Sequence, residues 1–168
     1  DDSNRPVRGV HVNEIKFWPV YPQFVRDMFV KALSKEAMTG DDVEHRLTER
    51  EWQTTFTVLR DSIVTCGCGD ETFVDLGRQP CKCINCGREL PELMVLNVKK
   101  YHVVLAPGKK VYACHTVYDS DDFKEGKGEV VTSRNNPSVM GLRNDSGSVW
   151  DVTLPNGAAK AYEPGQTI

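Results

Sequence analysis

The sequence predicts an α+β chain in three consecutive parts: an N-terminal helix pair over 1–64, a four-cysteine ribbon over 65–92 and a small antiparallel β-sandwich over 93–168. Three features carry this order. Apolar residues recur at helical intervals before residue 64, five of the six cysteines crowd between 66 and 86, and the apolar period falls to two afterwards. With 39% hydrophobic and 27% charged residues, the composition is that of a folded protein and not of a disordered one.

The first helix is expected in "PQFVRDMFVKALSKE", where Val25, Phe29 and Leu33, with Phe24 and Met28, fall at helical spacing. Pro22 suits its first turn, where a missing N–H costs nothing. The second helix announces its own start, because Thr48 and Glu51 form a Thr-x-x-Glu capping box. Trp52, Phe56, Leu59 and Ile63 then follow on one face. Two such stripes need each other and a further surface to be buried.

The ribbon lies in "CGCGDETFVDLGRQPCKCINCG". Cys66-x-Cys68 is followed after fourteen residues by Cys83-x-x-Cys86, and two close pairs at this separation are the pattern of a zinc ribbon. Four thiolates close a tetrahedron around Zn2+, and Gly69 and Gly87 permit the tight turns that aim amides at the sulfurs. Such a site has no open position, so one structural Zn2+ per chain is expected and no catalytic one. The first pair is one residue shorter than the usual Cys-x-x-Cys, which leaves Cys81 as a possible substitute ligand. A disulfide framework would require secretion, of which there is no sign. A redox pair would require a strand-to-helix junction, whereas Cys83 and Cys86 run into "GRELPEL". Cys114, in the apparent strand "VYACHTVY", reads as a buried structural cysteine, and His115 beside it is a slight pointer to a second site.

In the last part, "YHVVL-APGK-KVYACHTVY" reads as a strand pair around a Pro-Gly turn. "SVWDVTLPNGAAKAY" alternates Val149, Asp151 and Thr153 against Trp150, Val152 and Leu154 before turning at Asn156-Gly157. "MGLRNDSGS" is another turn, and "PGQTI" enters a further strand. Short strands with regular turns indicate a small sandwich or barrel.

Net charge is −3, which supplies no global attraction to nucleic acid. No apolar run is long enough to cross a bilayer and no signal peptide opens the chain, so a cytoplasmic protein is expected. The opening "DDSNRP", without methionine, suggests a fragment of something longer.

"RPVRGVHVNEIKFWPVYPQFVRDMFVKAL" and "EHRLTEREWQTTFTVLRD" together resemble the end of the large lobe of bacterial Ser/Thr protein kinases encoded beside von Willebrand A-domain proteins and metal-dependent phosphatases, in clusters associated with tellurium resistance and stress response. In those kinases the helices run into a zinc ribbon and a forkhead-associated-like β-domain. "GEVVTSRNNPSVMGLRNDSGSVWDVTLPNGAAKAYEPGQTI" looks like that domain. The resemblance implies a non-catalytic regulatory and docking region of such a kinase, with the A-domain protein or the phosphatase as partner. Arg46 matches the arginine that ties the last kinase helices to the activation segment, although its glutamate partner is absent; alternatively it is a solvated arginine. Trp52 corresponds to a core position.

The departures exclude phosphoryl transfer by this chain. It has no Gly-rich loop, no ATP-anchoring lysine, no His-Arg-Asp and no Asp-Phe-Gly, so no catalytic and no cofactor-binding residue is assigned. Ser133 and Arg134 are of the type that binds phosphate, but they do not match the forkhead-associated Arg…Ser-x-x-His pattern. The rival reading is a nucleic-acid-binding ribbon using Arg78, Lys82, Arg88 and the lysines of "NVKKYH". The acidic total and the lack of an aromatic row oppose it. The four histidines are scattered and no hydrolase spacing appears.

Overall fold

A computed structural model describes residues 6–39, 46–77, 80–91, 93–98, 101–117, 120–154 and 156–168. The chain divides into two compact units, Asp1–Glu92 and Leu93–Ile168. Helices and small antiparallel sheets make it α+β.

The first unit opens with α1 (Val12–Phe17), a 3-10 turn over Trp18–Val20, α2 (Gln23–Ala32) and α3 (Lys35–Thr39). Pro22 is the N-cap of α2 and, having no capping side chain, leaves the first amides of the helix open. Asp75, fifty-two residues away, fills this gap, its Oδ2 accepting from the backbone N–H of Gln23 at 3.2 Å. Helix α4 (Glu49–Asp61) starts at the predicted capping box: Thr48 Oγ1 accepts from the Glu51 amide, and Glu51 Oε2 accepts from the Thr48 amide. These bonds, with Lys31 nearby, hold the Glu51 carboxyl below its ordinary pKa.

Between α2 and α4 the contact is aromatic. Phe29 meets Trp52 edge-on with centroids 5.1 Å apart, and Trp52 stacks on Phe56 at 5.6 Å. The expected stripe is only partly buried. Val25 is in the core, but Phe56 and Leu33 are 46% and 66% exposed, and Ile63 leaves the helix for a strand. Thr55 and Thr57 are buried instead, which they tolerate because their hydroxyls donate to the carbonyls of Glu51 and Gln53. Strands β1 (Ile63–Thr65) and β2 (Glu71–Phe73) then form an antiparallel hairpin, with Val64 opposite Thr72.

The second unit holds β3 (Val95–Val98) with β4 (Tyr101–Val104), a sheet of β5 (Lys110–Tyr112), β6 (Gly126–Thr132) and β7 (Met140–Asn144), and the hairpin β8 (Trp150–Thr153) with β9 (Ala159–Tyr162). The predicted hairpin around Pro107-Gly108 does not form. Strands β4 and β5 belong to different sheets, and the loop docks on β6: the Gly108 amide donates to the Val130 carbonyl, and the Val130 amide to that of Lys109. Cys114 is not in a strand but in a short helix, α5 (Ala113–Thr116), whose leading amides donate to the carbonyls of Glu125 and Asp122. The turn at Asn156-Gly157 forms as predicted, with Gly157 at φ 81°, and Trp150 and Val152 face inward while Asp151 and Thr153 face out.

Asn144 is the polar centre of this unit. Fully buried, it donates through Nδ2 to the carbonyls of Ser148 and Tyr162 and accepts at Oδ1 from the amide and hydroxyl of Ser146. Trp150 lies against Gly128, where a Cβ would come within 2.5 Å of its ring. The last residues run beside β7, with reciprocal bonds between Leu142 and Ile168 and a bond from the Asn144 amide to the Gln166 carbonyl. Among the described residues no helix is long and apolar enough to cross a membrane.

Candidate metal centre

Two turns bring the cysteines together. The first joins β1 to β2: the Cys66 amide donates to the Asp70 carbonyl, and the Gly69 amide to that of Cys66, with Gly69 at φ 94°. Only glycine accepts such a conformation freely. In the second, the Cys83 amide donates to the Arg88 carbonyl, and the Gly87 amide to that of Cys83, with Gly87 at φ 71°. A bridge between Lys82 and Glu89 flanks this turn. Thr72 of β2 joins the two, because its buried hydroxyl accepts from the Ile84 amide at 3.3 Å.

The Sγ atoms of Cys66, Cys68, Cys83 and Cys86 all lie within 4.8 Å of one another, the one such group of possible metal ligands among the described residues. The Cys66–Cys86 and Cys68–Cys83 sulfur pairs are each 3.7 Å apart. A tetrahedron with metal–sulfur bonds of about 2.3 Å has edges of about 3.8 Å, so the group fits a Zn2+-sized ion. All six cysteines are free thiols, so the spacing is not that of a disulfide.

The four sulfurs differ in their electrostatic surroundings. Arg88 Nε donates to Cys86 Sγ at 3.4 Å, and this bond, with the Arg88 amide, lowers the Cys86 pKa to about 6. In return the guanidinium's own pKa rises. The amides of Cys86 and Asn85 lower that of Cys83. At Cys68 the Asp70 amide pulls downward, but loss of water around the sulfur and the three neighbouring sulfurs outweigh it and push the thiol up to about 12. Thiolates this close repel one another, and a dication bound between them relieves that repulsion.

Cys81 stands outside the group; it is buried and its thiol donates to the Asp75 carbonyl at 3.3 Å, on the wall of a cleft of about 440 Å³ that Tyr21, Phe73 and Ile84 also line. His115 is a core residue, fully buried, its Nδ1 accepting from the Tyr112 amide and its ring edge-on to Tyr101 at 5.0 Å. Cys114 is buried beside it. Arg46 and Arg134 are exposed, and Ser133 Oγ accepts from the Asn135 amide within the turn after β6. Of the basic residues around the ribbon, Lys82 lies 3.9 Å from Glu89 and Arg88 serves Cys86, while Arg78, Lys99 and Lys100 lie outside the described residues.

Sequence reasoning missed the supporting residues Thr72, Asp70 and Asn85. Asp70 Oδ2 accepts from both the Cys68 thiol and the Asn85 amide group. The signal available was position: Asp70 follows Cys-Gly-Cys-Gly directly, and Asn85 sits inside the Cys83–Cys86 turn.

Comparisons with protein-family models, with curated proteins and with solved structures give no match for this chain.

Proposed function

We propose that this chain is the non-catalytic regulatory and docking region of a bacterial Ser/Thr protein kinase, acting in a stress-response phosphorylation system of the tellurium-resistance type. One structural Zn2+ on Cys66, Cys68, Cys83 and Cys86 holds its ribbon. The observation that carries the metal part is the four-sulfur group with its 3.7 Å edges. Within residues 65–92 the chain is too short to build a hydrophobic core, so a metal supplies the folding energy there. Cys66 and Cys83 anchor the ion from the interior, Cys68 and Cys86 close the outer side, and Arg88 offsets part of the excess negative charge of four thiolates around a dication.

The docking part rests on the order of helix pair, ribbon and β-domain and on the missing phosphate-handling motifs. The small sheets of residues 93–168, read as a forkhead-associated-like sandwich, offer strand edges for a protein partner. Beside them is an open cleft of about 540 Å³ lined by Leu96, Val98, Val149 and Trp150, with Lys127 and Asp151 as polar contacts. The partner proposed is a von Willebrand A-domain protein or a metal-dependent phosphatase, met in the cytoplasm, where thiols stay reduced.

The test has two arms. Elemental analysis of protein purified without added metal should give about one zinc per chain and distinguish it from iron, the other ion suited to four thiolates. Serine at any of the four ligands should abolish retention, whereas Cys81→Ser and Cys114→Ser should keep it. In the second arm, the chain should bind the A-domain protein or phosphatase encoded nearby and transfer no phosphate from Mg-ATP. Autophosphorylation would defeat the functional reading, and so would an upstream sequence without a kinase domain.

A further inference from the structure

The four sulfurs differ in their surroundings. Cys66 and Cys83 are buried, whereas Cys68 and Cys86 are exposed. These two exposed sulfurs face opposite charges. Cys86 receives the Arg88 guanidinium at 3.4 Å. Cys68 lies 3.5 Å from the Asp70 carboxylate, to which its thiol donates. Asn85 Nδ2 donates to the same carboxylate oxygen and fixes it beside the sulfur. When a dication takes the site, the Cys68 proton is lost, and a thiolate and a carboxylate remain side by side. A cation donating to sulfur withdraws charge from it and lowers its nucleophilicity, while a neighbouring anion does the reverse.

We propose that Cys68 is the labile ligand of this metal centre, the sulfur at which soft electrophiles open it, and that Arg88 shields Cys86, the other exposed sulfur. This inference rests on the zinc reading of the four cysteines. With iodoacetamide as the electrophile, the Cys68 sulfur forms a bond to the methylene carbon, the carbon–iodine bond breaks, and iodide leaves with its electron pair. No proton moves. The thioether that results is neutral and a poor ligand, so alkylation at Cys68 releases the ion.

The experiment uses the full chain loaded with zinc and exposed briefly to substoichiometric iodoacetamide. A chromogenic chelator follows metal release, and peptide mass mapping locates the label. Cys68 should be alkylated first, with metal release keeping pace. A unit charge about 4 Å away in near-aqueous surroundings is worth about 1 kcal/mol, or about fivefold in rate, so Cys68 should lead Cys86 by at least that factor. Arg88→Ala should raise the Cys86 rate about fivefold and leave Cys68 unchanged, while Asp70→Asn should slow Cys68 by a like factor. Equal rates at Cys68 and Cys86 in the unaltered protein, or Cys86 first, overturn the proposal whatever the variants do. A loaded chain that opens at another sulfur defeats this inference alone, and a chain that takes up no metal overturns the zinc reading with it.

Discussion

The hydroxyl of Thr72, a residue only 2% exposed, accepts a hydrogen bond from the backbone amide of Ile84 at 3.3 Å. One strand of the first hairpin is thus tied to the second cysteine turn by a bond that involves no sulfur. Thr72→Val keeps the shape and removes the acceptor of the Ile84 amide, which should cost about 1 kcal/mol. Thr72→Ser should recover most of it. Urea unfolding of the zinc-loaded protein measures the loss, and competition with a chelator should show weaker metal retention in the valine variant. Unchanged stability and retention would mean that the metal alone sets the ribbon.

Asn144→Ala removes a side chain that makes four hydrogen bonds and leaves the Ser148 and Tyr162 carbonyls without its amide. The Ser148 carbonyl keeps the Ser146 hydroxyl as a donor, so a loss of about 1–3 kcal/mol in all is expected. Hydrogen exchange should quicken in β7 and β9 together. An effect confined to the Asp145–Ser148 turn would contradict the central role assigned to this residue.

The pH dependence of the second unit should show Asp122. The amides of Glu125 and Lys124 donate to its Oδ1 and hold its pKa below the ordinary carboxylate value of 3.8. A folded-state pKa below the unfolded one means stability that is present above the unfolded value and is lost as pH falls through the folded one. Thermal melts from neutral pH down to about pH 3 should therefore show an acid decline that Asp122→Asn flattens. If both proteins decline alike, the loop contributes nothing to acid sensitivity.

Nucleic-acid binding would require free cations around the ribbon, and two of the five proposed there already have company: Lys82 beside Glu89 and Arg88 on Cys86. Titration against generic DNA and RNA should give weak binding that salt erases. A protein neutralising about three phosphates would show a log-log salt slope on duplex DNA near −3. Micromolar affinity at physiological salt, abolished by Arg78→Glu with Arg88→Glu, would favour the nucleic-acid reading over docking.

What the sequence disclosed follows the range of the interactions. The Thr48–Glu51 box spans one turn, and each cysteine pair folds its own turn around a glycine, so both are visible in a few letters. The choice between Cys81 and Cys83 is different. Cys81-x-Cys83 repeats the spacing of Cys66-x-Cys68, and it takes the fold to tell them apart: the Cys81 thiol goes to the Asp75 carbonyl, while the Cys83 sulfur joins the other three. Likewise "VYACHTVY" has the alternation of a strand, but the amides of Ala113 and Cys114 find carbonyls at Glu125 and Asp122, and a helical turn results. The Pro107-Gly108 turn was legible as a turn; that β6 would occupy its flank depended on Val130, more than twenty residues on.

The strand-like run of Gln166–Ile168 along β7 also covers a sheet edge. Its bonds with Leu142 and Asn144 cover the outer rim of the three-stranded sheet. Gly141 makes the close fit possible, since a Cβ there would come within 2.6 Å of the Ile168 carbonyl oxygen. A chain cut after Glu163 would leave that rim as a bare row of amides and carbonyls, a template on which copies could zip together. Light scattering of the shortened protein should rise with concentration more steeply than that of the 168-residue chain, and equal curves would mean that the covered rim plays no part in association.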